Sequence, residues 1–400
     1  MARTLVRAVK TFPALVLTGP RQAGKTTLLK TLFGKTHRFV SLENSDARLL
    51  AQEDPAGFLE RYSAPVIIDE VQYAPELLSY IKTKIDEHRK PGQWLLTGSQ
   101  NFVLMDKVAQ SLAGRAAVLT LLPLSYAEQV ETVETTLEVG KWVKKLTQNV
   151  APKKLSVANW ILRGSYPEVA VNLKVDRQLW CGSYITTYLE RDIRNLTSVG
   201  DLNQFERFVK LCATRTGQIL NLTDMARDIG VSVSTARRWL SILEAGYQVY
   251  LLYPYYKNIG KRLVKSPKLY FTDTGLASYL LGIHEKETLF GSPSLGALFE
   301  TAVVVDVLKR FLNYGALPSL YYIRTRDGLE VDLALDLAGN LYLFEMKASM
   351  TVLPRHAEAL QKLRTDLKDQ VKGCAVISLS SSEGYLAKGV SCYGVKNALA

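Results

Sequence analysis

Residues Gly19-Pro20-Arg21-Gln22-Ala23-Gly24-Lys25-Thr26, with Thr27 directly after, fit the pattern G-x-x-x-x-G-K-[ST] at every fixed position. The chemistry that such a run supports is phosphate binding. Gly19 and Gly24 permit a backbone path that turns successive N–H groups toward one point. Lys25 supplies a point charge for the β- and γ-phosphates of a nucleoside triphosphate, and the Thr26 hydroxyl is a ligand for Mg²⁺. Some forty residues on, Val66-Ile67-Ile68-Asp69-Glu70 ends an apolar run in two acids. Asp69 suits the Mg²⁺ shell, and Glu70 suits a base that takes a proton from an attacking water.

Elements must hold these residues in place. Ala14-Leu15-Val16-Leu17 reads as a buried strand, and Thr26 to Phe33 has helical spacing ending near Gly34, so the glycine turn sits between strand and helix N-terminus. Val66–Ile68 and Gln93–Ser99 read as further buried strands, with acids and hydroxyls at the carboxyl ends where open α/β sheets bind ligands. These residues resemble the AAA+ ATPases. The resemblance implies that Ser99, or less well Thr97, senses the γ-phosphate or orients water. It also implies that Arg115, before the strand-like run 116–121, is either an arginine finger for a neighbouring subunit or a surface arginine. A finger implies a homo-oligomeric ring, with a hexamer favoured. No Asn-Lys-x-Asp motif occurs, which favours ATP over GTP.

Four hundred residues accommodate two to four domains, and an apolar fraction of 47% is that of a globular chain. Cys181, Cys212, Cys374 and Cys392 lack C-x-x-C spacing, so neither a zinc site nor a disulfide framework is indicated. Arg3, Arg7 and Lys10 before a short apolar run imitate a signal peptide, but that run flows into the glycine loop and reads as a strand. No apolar run reaches membrane-span length, and a cytoplasmic location is expected.

The chain has 50 Lys/Arg against 38 Asp/Glu, a net charge of +12 that favours a polyanionic partner. Residues 201–270 contain 11 of these basic and 5 of these acidic residues, so half of the excess lies there. That stretch looks like a winged helix-turn-helix. Residues 221–230 read as a first helix with Thr223 as N-cap and Gly230 past its end, and a second helix starts at Ser234 or Thr235. Arg237 and Arg238 on the second helix, and Lys257, Lys261, Arg262, Lys265 and Lys268 on a hairpin wing over 253–268, are the expected DNA contacts. The alternative is a module that packs on other protein surface with its charges solvated.

A largely helical connector over roughly 125–200 carries Arg163-Gly164-Ser165-Tyr166-Pro167-Glu168. This segment resembles the Gly-Gly-x-Pro turn that lies over the nucleotide in one AAA+ branch, with Ser165 in place of the second glycine; it reads equally as a helix-breaking turn.

In the last third, a helical run over Ser294–Phe311 containing Glu300 precedes strand-like runs 320–324, 331–335 and 341–347. Their order, with Asp332 on the second strand and Glu345-Met346-Lys347 on the third, resembles the restriction-endonuclease-like PD-(D/E)XK fold. In that family's terms Glu300, Asp332 and Glu345 hold Mg²⁺ or Mn²⁺, and Lys347 positions or deprotonates water. Val331 stands where the family's leading proline would be. The fold would also serve DNA or partner binding without cutting.

In order along the chain, these modules resemble prokaryotic AAA+ P-loop ATPases fused to a C-terminal domain of unknown function that combines a winged helix with a nuclease-like sheet. The expected architecture is α/β and multi-domain: a parallel-sheet ATPase core over 1–124, a helical lid and connector over 125–200, a winged helix-turn-helix over 201–285 and a restriction-endonuclease-like α/β domain over 286–400. The resemblance implies an ATPase that binds and remodels or translocates duplex or branched DNA in repair, recombination or mobile-element conflict. Alternatives are an ATP-gated metal-dependent nuclease, and a nucleotide-state switch that binds a protein partner or represses transcription.

Overall fold

The computed structural model describes residues 1–99, 108, 110–131, 139–145, 155–187, 202–256, 265–380 and 383–399. The chain divides into two compact units. The first comprises Met1–Pro123 with Ala245–Tyr247 and Leu312–Ala316; the second comprises Leu124–Glu244, Gln248–Phe311 and Leu317–Ala400. The segments expected at 125–200, 201–285 and 286–400 thus fall almost wholly within one unit.

In the first unit, β1 (Ala14–Thr18), β2 (Arg38–Ser41), β3 (Val66–Asp69), β4 (Trp94–Gly98) and β5 (Ala116–Thr120) form one sheet in the order β2-β3-β4-β1-β5. Every pairing is parallel. A parallel sheet is covered on both faces, which is why β1 and β3 read as unbroken apolar runs. Because side chains alternate, the two faces feed two cores. Val16, Ile68 and Leu96 enter one, while Leu15, Leu17, Ile67 and Leu95 enter the other. Truncating Ile68, fully buried in the first, to Ala would cost about 2–5 kcal/mol. The helix Lys25–Phe33 follows β1 through Gly24, which is left-handed at φ 93°, and Gly34 caps its end.

In the second unit, β6 (Gln218–Ile219), β7 (Val249–Leu252) and β8 (Lys268–Phe271) form an antiparallel sheet in the order β6-β8-β7. Beside it lie the helices Leu202–Thr214, Leu222–Ile229 and Val233–Ala245. Asn221, not Thr223, caps the helix Leu222–Ile229, its side chain accepting from the Asp224 amide. Gly230 closes that helix at φ 79°, a left-handed turn that favours glycine. The following helix begins at Val233, earlier than expected, because the Ser232 hydroxyl accepts from the Thr235 amide at 3.1 Å. Its Trp239 packs edge-on against Phe205 and Phe208.

A six-stranded mixed sheet completes this unit: β9 (Leu320–Arg324), β10 (Glu330–Leu337), β11 (Asn340–Lys347), β12 (Val371–Ser378), β13 (Gly384–Ala387) and β14 (Val390–Gly394). The order is β13-β14-β12-β11-β10-β9, with parallel pairing only for β11–β12 and β12–β14. Val331, Leu343 and Val376 enter one core with Leu360 and Leu363 of the helix Glu358–Leu367. All four cysteines are buried free thiols. Among the described residues no helix is long and apolar enough to cross a membrane.

Candidate functional site

The glycine loop is built for close backbone approach. Gly19 has φ 143°, and a Cβ there would lie 2.0 Å from the Leu121 carbonyl oxygen. Lys25 is buried at the start of its helix and donates to the carbonyls of Gly19 and Pro20, both at 2.8 Å. Its ammonium is therefore held at the loop itself, where phosphate oxygens can replace those carbonyls.

Asp69 ends β3 with both carboxylate oxygens committed. Its Oδ1 accepts from Thr26 at 2.7 Å and from Thr97 at 2.5 Å, and its Oδ2 accepts from Ser41 at 3.3 Å. The chain places the two Mg²⁺-shell candidates, Thr26 and Asp69, in direct contact although they are 43 residues apart. A hydroxyl and a carboxylate are hard oxygen donors of the kind Mg²⁺ takes. This pair, beside the Lys25 loop, fits a Mg²⁺–nucleotide complex.

Glu70 follows in the left-handed region at φ 57°, uncommon for a residue with a side chain. Three groups hold it there. Its amide donates to Thr97 Oγ1 at 3.1 Å, Ser99 donates to its Oε2 at 3.0 Å, and the Gln72 amide donates to the same oxygen and to Ser99 at 3.2 Å. Such outlying backbone persists where the surroundings over-determine it, commonly at functional sites. The sequence places Ser99 here; it misses Gln72, whose only signal is its position two residues after Glu70 at the turn Val71–Tyr73.

Arg115 forms a bidentate pair with Asp86, at 2.6 and 2.9 Å, and donates to the Ala113 carbonyl at 3.1 Å. The Asp86 carboxylate raises the affinity of that guanidinium for its proton and is itself held below the ordinary carboxylate range. Any action of Arg115 on a second subunit requires this pair to open.

The second unit brings Glu300, Asp332, Glu345 and Lys347 toward one another, and a cavity of about 600 Å³ is lined in part by Glu300, Asp332, Lys347, Arg355 and His356. Lys347 pairs with Glu345 at 2.6 Å. The expected place of Lys268 on an exposed DNA-facing wing is corrected here. Lys268 begins β8, is 3% exposed, and lies 2.9 Å from Glu300, 2.7 Å from Glu330 and 3.6 Å from Asp332. Alternation along β8 puts Tyr270 on the same face, where its hydroxyl donates to Glu300 at 2.6 Å. Burial, reinforced by Asp332, raises Glu300 to about 7 and Glu345 to about 8. A resident divalent cation does not fit among carboxylates already gathered on an ammonium. Among the described residues no cluster of three or more metal-ligating side chains is open to a metal.

Arg237 and Arg238 are exposed on the helix Val233–Ala245, and Lys265 is exposed before β8. Lys257, Lys261 and Arg262 lie outside the described residues. The segment at 163–168 is a turn within the second unit: the Ser165 amide and hydroxyl both donate to Asp273 at 2.7 Å. Asp273 also caps the helix Thr274–Leu280, and a Cβ on Gly164 would collide with it.

Three family models match successive parts of the chain. The AAA domain family matches residues 11–130. Two families, each described as a domain of unknown function, DUF8612 and DUF4143, match residues 154–287 and 295–396. The uncharacterized proteins Mb2031c of Mycobacterium bovis and Rv2008c of Mycobacterium tuberculosis are each 35% identical over 370 residues, covering 92% of this chain and 77% of theirs. The uncharacterized protein MJ1544 of Methanocaldococcus jannaschii is 22% identical over 381 residues, covering 88% of this chain and 79% of its own. Among solved structures, the Walker-type ATPase PABY2304 of Pyrococcus abyssi aligns at a TM-score of 0.44 with 15% identity, over 70% of this chain and 94% of that one. The chain belongs to the family of Rv2008c and Mb2031c, and is an AAA-type P-loop ATPase with C-terminal domains of unknown function.

Proposed function

We propose that this ATPase hydrolyses ATP with Mg²⁺ to bind and remodel or translocate DNA, duplex or branched, as a cytoplasmic homo-oligomer. The observation that carries the hydrolytic half is the junction of β3 and β4, where Thr97 ties Asp69 to the Glu70 amide and Ser99 holds the Glu70 carboxylate. Gly19 to Thr27 cradle the nucleotide, with Lys25 on its phosphates. Thr26 and Asp69 hold Mg²⁺, which when bound withdraws charge from the phosphates. Glu70 takes a proton from the attacking water, with its carboxylate aimed by Ser99 and Gln72. Arg115 serves a neighbouring subunit in a ring once it leaves Asp86.

The DNA half rests on the second unit. The helices Leu222–Ile229 and Val233–Ala245, joined by a three-residue turn beside a small antiparallel sheet, support a winged helix-turn-helix reading. Its second helix turns two arginines to solvent, in a stretch that holds half of the chain's positive excess. Repair, recombination and mobile-element conflict are the processes that such a protein serves. The test is retention of labelled duplex, single-stranded and branched DNA across a salt series, with and without ATP. Phosphate contacts make affinity fall steeply with salt. No retention of any form even at low salt sinks the DNA reading and leaves the nucleotide-state switch with a protein partner.

The nuclease-like reading of the six-stranded sheet has support from Glu300 on the preceding helix followed by Asp332, Glu345 and Lys347 on successive strands. A metal-dependent cut is the weaker alternative, because Lys268 stands among the carboxylates that it would need.

A further inference from the structure

Lys268 is almost fully buried, yet it is not a stray charge. Three carboxylates from two elements of the sheet domain converge on its ammonium: Glu300 from the helix Leu295–Tyr314, and Glu330 and Asp332 from β10. The lysine itself comes from β8, a strand of the small antiparallel sheet. The remaining oxygens are partly committed. Tyr270 donates to Glu300, Arg324 pairs with Glu330 at 3.1 Å, and the Met346 amide donates to Asp332 Oδ2 at 2.8 Å. One acid near the cluster is less well served. Glu345 is 9% exposed, and its Oε2 is buried without a hydrogen-bond partner among the described residues.

Carboxylate oxygens that converge on one point form the donor set of a hard divalent cation. An ammonium at 2.7 to 3.6 Å from the carboxylates of Glu300, Glu330 and Asp332 fills the position that such a cation would take, and a second cation there would meet a like charge at short range. We infer that Lys268 is a built-in substitute for a divalent metal: it locks a latent carboxylate site of the six-stranded sheet, so that the domain works without bound metal. Removing the lysine's charge while leaving the acids releases that site. The ligand class of the released site is a hard divalent cation, with Glu300, Glu330 and Asp332, the acids now gathered on the ammonium, as its principal oxygen donors.

The test is Mn²⁺ titration of the nucleotide-free full chain, read by the loss of the free Mn²⁺ resonance, with thermal unfolding followed in parallel. Wild type is expected to show no Mn²⁺ site that Asp332→Asn removes. Lys268→Gln is expected to gain one site at least tenfold tighter than any that wild type has outside the glycine loop, and Lys268→Gln/Asp332→Asn to lose it. Mn²⁺ should raise the unfolding temperature of Lys268→Gln and not that of wild type. If Lys268→Gln does not fold, Lys268→Met/Glu345→Gln removes one charge of each sign while keeping Glu300, Glu330 and Asp332, and is titrated in its place. An Asp332-dependent Mn²⁺ site in wild type overturns the inference, as does a folded lysine variant that gains none.

Discussion

The hydroxyl of Thr97 donates to Asp69 Oδ1 at 2.5 Å and accepts from the amide of Glu70 at 3.1 Å, so one side chain on β4 fixes two neighbouring acids of β3. Thr97 is completely buried. Thr97→Val keeps the shape and removes both bonds, leaving the Glu70 amide without its partner and Asp69 Oδ1 with Thr26 alone. A loss of about 1–3 kcal/mol is expected for a buried group left unsatisfied. Urea unfolding of the full chain measures it, and ATP turnover should fall more than ATP binding.

Glu70→Gln should retain ATP binding and lose turnover about 10²- to 10⁴-fold, the range for removing a positioned general base. Fluorescent-nucleotide binding and phosphate release on the same preparation separate the two. Lys25→Ala should lose binding itself.

On the proposed mechanism Gln72 acts on turnover through the Glu70 carboxylate that it bonds. Gln72→Leu is expected to lower kcat with KM for ATP little changed, and Gln72→Asn to recover only part of it, because the shorter amide does not reach both Glu70 and Ser99. A KM effect as large as the kcat effect would mean that Gln72 instead holds up the nucleotide pocket.

The acids of the second unit give a pH dependence with a defined sign. Burial, with Asp332 beside them, raises Glu300 to about 7 and Glu345 to about 8, from an ordinary 4.5. Between those limits the folded chain holds protons that the unfolded chain has released. The resulting stability is complete below about pH 4.5 and is lost as pH rises through 7 to 8. The urea midpoint of this unit should therefore decline from pH 5 to pH 8.5. Glu300→Gln/Glu345→Gln should flatten that decline.

The glycine loop, β1, β3 and β4 are legible in the sequence because their signals are local: fixed spacing in one case, unbroken apolar runs in the others. Ser99 is singled out by the resemblance to AAA+ ATPases, which points to a small polar residue at the end of β4. Gln72 and Lys268 are not. The contact of Gln72 with Ser99 spans 27 residues and depends on the left-handed backbone at Glu70, which no pattern in the sequence announces. Lys268 reads as one more basic residue in a basic stretch. Only the pairing of β8 with β6 and β7 shows that it starts a buried strand, and only the tertiary fold supplies the acids from residues 300, 330 and 332. Arg115 illustrates a third case: its position before β5 is local, but its partner Asp86 lies on a helix 29 residues earlier.

Steady-state ATP turnover with and without DNA tests the central claim most directly, using wild type and Arg237→Ala/Arg238→Ala with duplex, single-stranded and branched DNA at low and moderate salt. Wild type should turn over ATP faster with at least one DNA form. The double variant should keep its basal rate, lose the stimulation, and show a salt slope of DNA affinity shallower by about 1 per phosphate contact removed. A wild-type rate indifferent to every DNA form would contradict the account.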